Sequence, residues 1–521
     1  MTESADRAEQ FDVVFVGAGV ASAFTLRAMA ECAIASGRTK LRTAVVERAD
    51  SRFGGVPYGR RSGALSLVIT GLRDFLGDEE RAAFASWMTE HRQRLLDELQ
   101  DSGGPNARRW ISEHSPAMAA GDFDDLFVPR RWFGQYLDDT VARALSAAES
   151  ASAIDHEYLV DTVLDVERDG DHYNVVLADS PTPLRARHVV LAVGSMPVRH
   201  RLVAPTQTNG LLVDDPYEPG LEQHLRALEE RVTEHGPATV LIIGSNASAL
   251  EMLYLMADRD ALATCDFVVI SPSGALPETI RHQPSHPAFV PCALDGLVGQ
   301  SGRPTAREIF DAARADLAAA RQAGVSLTDC LPAISARIGG LVGASELDQR
   351  LEFASTWGPR LARYQRRAGS DYADNAQRLF AEGRLELLAG SYHRIVEADD
   401  AGLTVEYGET GETGQGHEPR RLRPVGAIFN CAGFTTTIDA PPSGLIATLS
   451  ERGLCTPVST GVGLVVDETL RTSGGLHVIG PLLAGNVIDG SAVWHLEQCA
   501  RIQRLSGPLA ERLLQATPVS G

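Results

Sequence analysis

Two apolar runs of the same design punctuate the chain. The first, Phe11 to Val16, ends in Gly17-Ala18-Gly19, passes into a helical stretch reaching Ile34, and is followed by Thr43-Ala44-Val45-Val46, which closes on Glu47. A continuous apolar run bounded by turn residues reads as a strand covered on both faces, as in a parallel sheet. The expected order is therefore strand, tight turn, helix, strand. The second run, Ala238 to Ile243, repeats it through Gly244-Ser245-Asn246 and Ala247-Ser248-Ala249-Leu250-Glu251, then Asp266 to Ile270.

Other segments fill in around these. Glu79 to Leu99 predicts an amphipathic helix, and Val128 to Leu137 opens another whose Phe133, Leu137, Val141 and Leu145 recur every four residues. Tyr158 to Ala178 alternates around Arg168-Asp169-Gly170-Asp171 and predicts a hairpin. Apolar strands end at Gly194 and at Gly433, and residues 301–390 turn helical. The stretch 408–416 predicts an exposed hairpin tip, and Gly480 to Ser491 is expected to lead into a helix from Ala492 to Leu505.

Glycines after a buried strand let the chain turn sharply into a helix whose first amides can face a pyrophosphate. Glu47 stands where a carboxylate can bond an adenosine ribose, which favours FAD or NAD over NADP. Ser22 replaces the last glycine of G-x-G-x-x-G. In the second copy Asn246 replaces the middle glycine, a residue that tolerates a left-handed backbone, and Ser271-Pro272-Ser273 replaces the acid. That site tolerates NADP, its nearest arginine being Arg281; the alternative is a copy that binds nothing. The loop Arg52 to Gly59 either wraps a flat ligand or lies on the surface. Arg130 and Arg131 sit at the positive end of their helix, so a diphosphate, an acidic substrate or a surface salt bridge is needed to compensate them.

Composition narrows the partners. The chain has 521 residues, long enough for two or three domains, and a net charge of −20 that argues against nucleic acid. Seven dispersed cysteines contain no C-x-x-C, so no metal is expected, a disulfide reductase is disfavoured and a reducing cytoplasm fits. No stretch of eighteen apolar residues predicts a membrane span, and the first ten residues read as a short disordered end.

Taken together, these pieces resemble the FAD/NAD(P)-binding proteins with two dinucleotide-binding domains, related to the flavin-containing monooxygenases and the lysine and ornithine N-hydroxylases. The likeness rests on Gly17-Ala18-Gly19 with Glu47, on Gly55-Val56-Pro57-Tyr58-Gly59, on Val128-Pro129-Arg130-Arg131 to Leu137, on Gly194 and Gly433, and on Gly480-Pro481. It implies an α/β fold of two Rossmann-like domains: an FAD domain from both chain ends (1–205 and 385–521), an inserted NAD(P)-binding-like domain (206–300) and a helical insertion (301–384), a possible substrate region. It implies FAD contacts from Gly17, Ala18, Gly19, Ser22, Glu47, Arg48, Gly55, Tyr58, Arg130, Gly194, Gly433, Gly480 and Ser491. NAD(P) contacts fall on Gly244, Ser245, Asn246, Ser248 and Ser271. Three positions depart from the family: Ala64-Leu65-Ser66-Leu67 replaces a His-Leu-Leu-Asn-like segment, Asn246 stands where the family prefers glycine, and Ser271-Pro272 replaces Ser-Arg.

The implied function is an NADPH- or NADH-using monooxygenase that acts with O2 through a peroxyflavin on a small amino-acid-like amine, with no single catalytic side chain assigned. An FAD-dependent dehydrogenase or oxidase with a remodelled second fold, and a non-catalytic nucleotide-binding scaffold, are the alternatives. The chain is expected to be cytoplasmic and a possible homo-oligomer.

Overall fold

The computed structural model describes residues 10–50, 52–199, 201–205, 210–280, 289–299, 302–399, 402–408, 419–439 and 444–517. Arg281, all of the expected disordered start except Gln10, which opens the first strand, and all of the expected hairpin tip except Gly408 lie outside the described residues. Among the described residues, no helix is long and apolar enough to cross a membrane.

The first body opens with β1 (Gln10–Val16), α1 (Val20–Ala35) and β2 (Leu41–Glu47). Helices α2 (Gly55–Tyr58), α3 (Leu72–Phe75), α4 (Asp78–Ser102), α5 (Pro105–Ala120) and α6 (Arg130–Ser150) follow. Strands β3 (Ile154–Val160), β4 (Val163–Asp169), β5 (His172–Leu177) and β6 (Leu184–Leu191) complete the sheet, in the order β3-β2-β1-β6-β5-β4. The apolar repeat of α6 is buried as expected: Phe133, Leu137 and Val141 are fully covered and α6 packs on α1.

Strand β6 changes partner along its length. Its alternating start pairs antiparallel with β5, while its apolar end, Val190–Leu191, pairs parallel with His477–Val478 from the far end of the chain. The last helix, Cys499–Ala516, then lies against α1, and Arg38 donates to the carbonyl oxygens of Leu514 and Thr517. Both chain ends therefore build one sheet and its cover.

The second body carries β7 (Leu211–Val213), α7 (Leu221–His235), β8 (Thr239–Ile243), α8 (Ala247–Met256) and β9 (Asp266–Ser271). Its parallel sheet runs Leu385–Ala389, β9, β8, Ala427–Asn430, β7. Strands Leu385–Ala389 and Ala427–Asn430, expected with the first body, thus belong to the second. The antiparallel ribbon Ser391–Asp399/Gly402–Gly408 explains why: Ile395, Leu403 and Val405 bury against Leu241, Ile243, Val268 and Ile270, on a face that Leu202 and Leu422 also cover. The chain crosses between bodies twice, and the crossings pair: Val198 bridges Phe434, and the Arg199 N–H donates to the Gly433 carbonyl at 3.0 Å.

The insertion has its own core of Ile309, Phe310, Ile334, Ile338, Phe353 and Trp357, closed by Trp494. Helix Ser370–Ala381 leaves it and packs on α8. The expected helix from Ala492 is instead a hairpin, Asn486–Ile488 with Ser491–Val493, and the helix starts at Cys499. Asp489 at φ +48° and Gly490 at φ +74° form the two-residue turn that Asp-Gly favours.

Candidate functional site: two strand-turn-helix cradles

The first cradle is built from backbone. The Gly17 N–H donates to the Val46 carbonyl at 2.8 Å, its φ is +99°, and a Cβ there would lie 2.6 Å from the Ala192 carbonyl oxygen, so only glycine fits. Gly19 precedes α1 with an extended backbone and no side-chain cap, and a Cβ on it would meet nothing within 4 Å. The unsatisfied first amides of α1 thus open onto free space, an anion-binding arrangement. The Ser22 hydroxyl is buried and donates to the Gly17 carbonyl at 2.6 Å; it holds the turn from inside rather than facing a ligand.

Glu47 accepts from the Ala18 N–H at 2.9 Å and the Ala49 N–H at 3.2 Å, and the buried Arg61 guanidinium lies 3.5 Å away. On the adjacent strand the Tyr158 hydroxyl is buried with no partner. Burial, then the charges of Glu47 and Asp50, push its pKa up. Gly55, at φ +54°, packs so closely that a Cβ would lie 3.1 Å from the Gly19 Cα, which places the 52–59 loop on the turn. Gly194 has a positive φ and open space beside it, and a Cβ on Gly480 would lie 3.7 Å from the Ala21 Cβ, over the start of α1. An uncapped helix start, a facing glycine, an acid at the end of β2 and an orphaned buried hydroxyl fit the adenosine diphosphate part of a dinucleotide.

The second cradle repeats this backbone. The Gly244 N–H donates to the Ile270 carbonyl at 2.8 Å, its φ is +101°, and a Cβ would lie 2.3 Å from the Cys431 carbonyl oxygen. Asn246 does not use a left-handed conformation: φ −92° and ψ −163° match the −89° and −172° of Gly19. Its substitution therefore changes only what projects in front of α8. Ala249 stands where Ser22 stands and is fully buried, while Ser248 and the buried Ser245 line the turn. Ser271 ends β9, with its hydroxyl 3.5 Å from that of Ser273 and no carboxylate.

Four other expected FAD-contact residues are placed as follows. Tyr58 packs its ring on Phe75 and Phe133 and meets the Cys499 thiol at 3.3 Å, because α6 brings an aromatic cluster under the loop. Arg48 pairs with Glu218 at 2.7 Å, and Ser491 is exposed on the C-terminal hairpin. The anion that compensates Arg130 is Glu251 of α8, buried together with it rather than at the surface. Glu251 also accepts from the Ser66 hydroxyl and, at 2.8 Å, from the Tyr217 hydroxyl, so one carboxylate ties α6 and the 59–68 loop to the second body. Glu251, Tyr217, Tyr158 and Ser66 were absent from the sequence assignment. A lone acid among Leu250, Met252, Leu253 and Leu255 was the one visible sign of such a hub.

Residues 14–196 match the family described as FAD-NAD(P)-binding. The fold is similar to that of the Kutzneria sp. 744 ornithine N-hydroxylase KtzI (TM-score 0.56, 16% identity, 97% of this chain and 99% of that chain). It is also similar to the ornithine hydroxylase PvdA of Pseudomonas aeruginosa (TM-score 0.54, 16% identity, 97% and 99%). In sequence the chain is 34% identical over 514 residues to the uncharacterized protein Rv3403c of Mycobacterium tuberculosis, covering 97% of this chain and 95% of that one. The chain therefore belongs to one family with that mycobacterial protein, and its residues 14–196 carry the match to the FAD-NAD(P)-binding family.

Proposed function

We propose that the protein is an FAD-dependent monooxygenase that takes hydride from NADPH or NADH and places one oxygen atom of O2 on the amine of an amino-acid-like substrate. The observation that carries this reading is the pair of cradles with one backbone geometry, each opening at the carboxyl ends of parallel strands in its own sheet. Hydride transfer from a nicotinamide to a flavin needs both groups held together, and two cradles on one chain would provide for that. The likeness to the ornithine hydroxylases supports the reaction class.

FAD, when bound, would supply hydride acceptance and oxygen activation. The chain's own part is binding, orientation and exclusion of water. Gly17, Ala18, Gly19 and the start of α1 would hold the pyrophosphate and Glu47 the ribose, with Gly55, Gly194 and Gly480 allowing close approach. Gly244, Ser245, Asn246, Ser248 and Ser271 would face the nicotinamide dinucleotide, and Gly433 sits where the second crossing returns. The substrate would enter where the insertion meets the C-terminal hairpin, since pockets favour domain boundaries.

The test has three steps. The purified protein should be yellow, with about one FAD per chain, the stoichiometry of one cradle. NADPH or NADH should bleach it without oxygen. With 18O2, a panel of ornithine, lysine and simple diamines should yield a product carrying one labelled oxygen. A colourless protein would overturn the reading in favour of a scaffold. A flavin that neither nucleotide bleaches would favour an FAD-dependent dehydrogenase or oxidase, the reading supported by the Asn246 side chain in front of α8.

A further inference from the structure

We propose that Glu113, His114 and Asp371 form a site for a first-row divalent transition cation that clamps α5 to helix Ser370–Ala381. The three residues come from two helices in different parts of the chain, and one donor atom from each lies within 4.8 Å of the others. His114 Nε2 and Asp371 Oδ1 are 2.9 Å apart. The Asp371 side chain is only 6% exposed, and its second oxygen, Oδ2, is buried with no hydrogen-bond partner among the described residues. A buried carboxylate oxygen left unpaired is costly, and a bound cation satisfies it.

The surroundings favour the same ligand. Asp371 and Glu113 line one side of a recess with a cavity volume of about 30 Å³, shared with Arg109 and Arg378; His114 lies outside its lining, so the cation would sit at the rim. The Trp110 ring, 4.9 Å from the His114 ring, limits how the imidazole turns. Asp374 adds a third carboxylate against Arg109 and Arg378. Arg378 does not serve Asp371: it donates to Asn106 at 2.8 Å and to Asn375 at 3.0 Å. One imidazole nitrogen and two carboxylates suit Zn2+ or Mn2+. Bonds of about 2.0–2.1 Å set tetrahedral ligands about 3.3 Å apart, so His114 and Asp371 open slightly and the exposed Glu113 closes over them. Coordination through Nε2 moves the ring proton to Nδ1 and replaces one hydrogen bond with two metal bonds.

Because helix Ser370–Ala381 packs on α8 and α5 lies in the first body, the cation would tie the two bodies together, and its binding is read without turnover. Metal-stripped, flavin-containing protein titrated with Zn2+ by calorimetry should bind one ion per chain and melt at a higher temperature. Co2+ in its place should give visible d–d absorption. H114Q and D371N should each weaken Zn2+ binding by tenfold to a hundredfold or more, at least the loss seen when a metal site is disturbed through its outer shell, about 10–100-fold. Flavin content and circular dichroism monitor folding; if D371N fails to fold, the partly exposed His114 carries the test. Absence of Zn2+ and Co2+ binding, or binding undiminished in H114Q, overturns the proposal and leaves the dinucleotide reading untouched.

Discussion

The two cradles share a skeleton and differ in every side chain that could touch a ligand. Gly17 and Gly244 have φ values of +99° and +101°, and a Cβ on either would strike the carbonyl of the returning strand, Ala192 or Cys431. Gly19 and Asn246 share an extended backbone. Yet the first has an internal hydroxyl at Ser22 and an acid at Glu47, while the second has Ala249 and Ser271. The skeleton is what strand–helix packing demands; the side chains are where ligand choice is written. Asn246 is therefore no sign of a collapsed turn, since the position it fills never needed glycine's freedom.

The severest way to break this pairing is at its shared residue. G17A and G244A each force a Cβ into a carbonyl oxygen at positive φ, a cost of several kcal/mol, about 2–4 by the usual range for such strain. G17A should abolish flavin retention, read as absorbance near 450 nm per chain. G244A should keep the flavin but lose bleaching by nicotinamide nucleotides.

Acid should separate the bodies next. The first sheet buries His156, held at about 4 by burial, and His477, held at about 3 by burial and then by His188 and Arg471. The five strands of the second sheet contain no histidine. A base whose folded pKa is lowered stabilises the fold above its unfolded pKa, near 6.5, and that stability is lost as pH falls toward the folded value. Each group should remove about 1.4 kcal/mol per pH unit below about 6.5, His156 down to about 4 and His477 down to about 3. Hydrogen exchange between pH 6.5 and 4.5 should show the first sheet loosening before the second; H477Q should flatten that slope.

Glu47 sharpens the contrast in chemistry. E47A removes the acceptor of the Ala18 N–H and the partner of Arg61, and should weaken FAD binding by tenfold to a hundredfold, about 1.5–3 kcal/mol for a charge-assisted hydrogen bond. Flavin loss on dialysis measures it. N246G gives the second turn the glycine spacing of the first. It should cost about 0.5–1 kcal/mol in stability through the freer unfolded chain, and tighten NADPH or NADH binding severalfold by clearing the start of α8. Weaker binding instead would make the Asn246 amide a ligand in its own right.

How much of this was legible depended on distance along the chain. Strand, turn and helix lie contiguously, so both cradles and the buried face of α6 could be read directly. Partners in a parallel sheet are set by long-range packing, so Leu385–Ala389 and Ala427–Asn430 were assigned to the wrong body: apolar strands carry no mark of which sheet they enter. The Arg130–Glu251 pair spans 121 residues and left only an unpaired charge to notice at each end. The hairpin at 486–493 was legible and misread. Asp489-Gly490 between short apolar runs is a hairpin signal, and the helical spacing beyond it outweighed the turn.

The smallest effect tests whether Ser22 serves structure or ligand. Its hydroxyl donates to the Gly17 carbonyl at 2.6 Å from a fully buried position, and Ala249 shows that the second cradle forms with no such bond. S22A should therefore cost about 0.5–1.5 kcal/mol, one net hydrogen bond, and lower Tm by a few degrees or less. FAD content and the rate of bleaching should stay unchanged, because the bond lies behind the turn. A loss of flavin comparable to that of E47A would put the hydroxyl on the ligand's side and erase the structural distinction between the cradles.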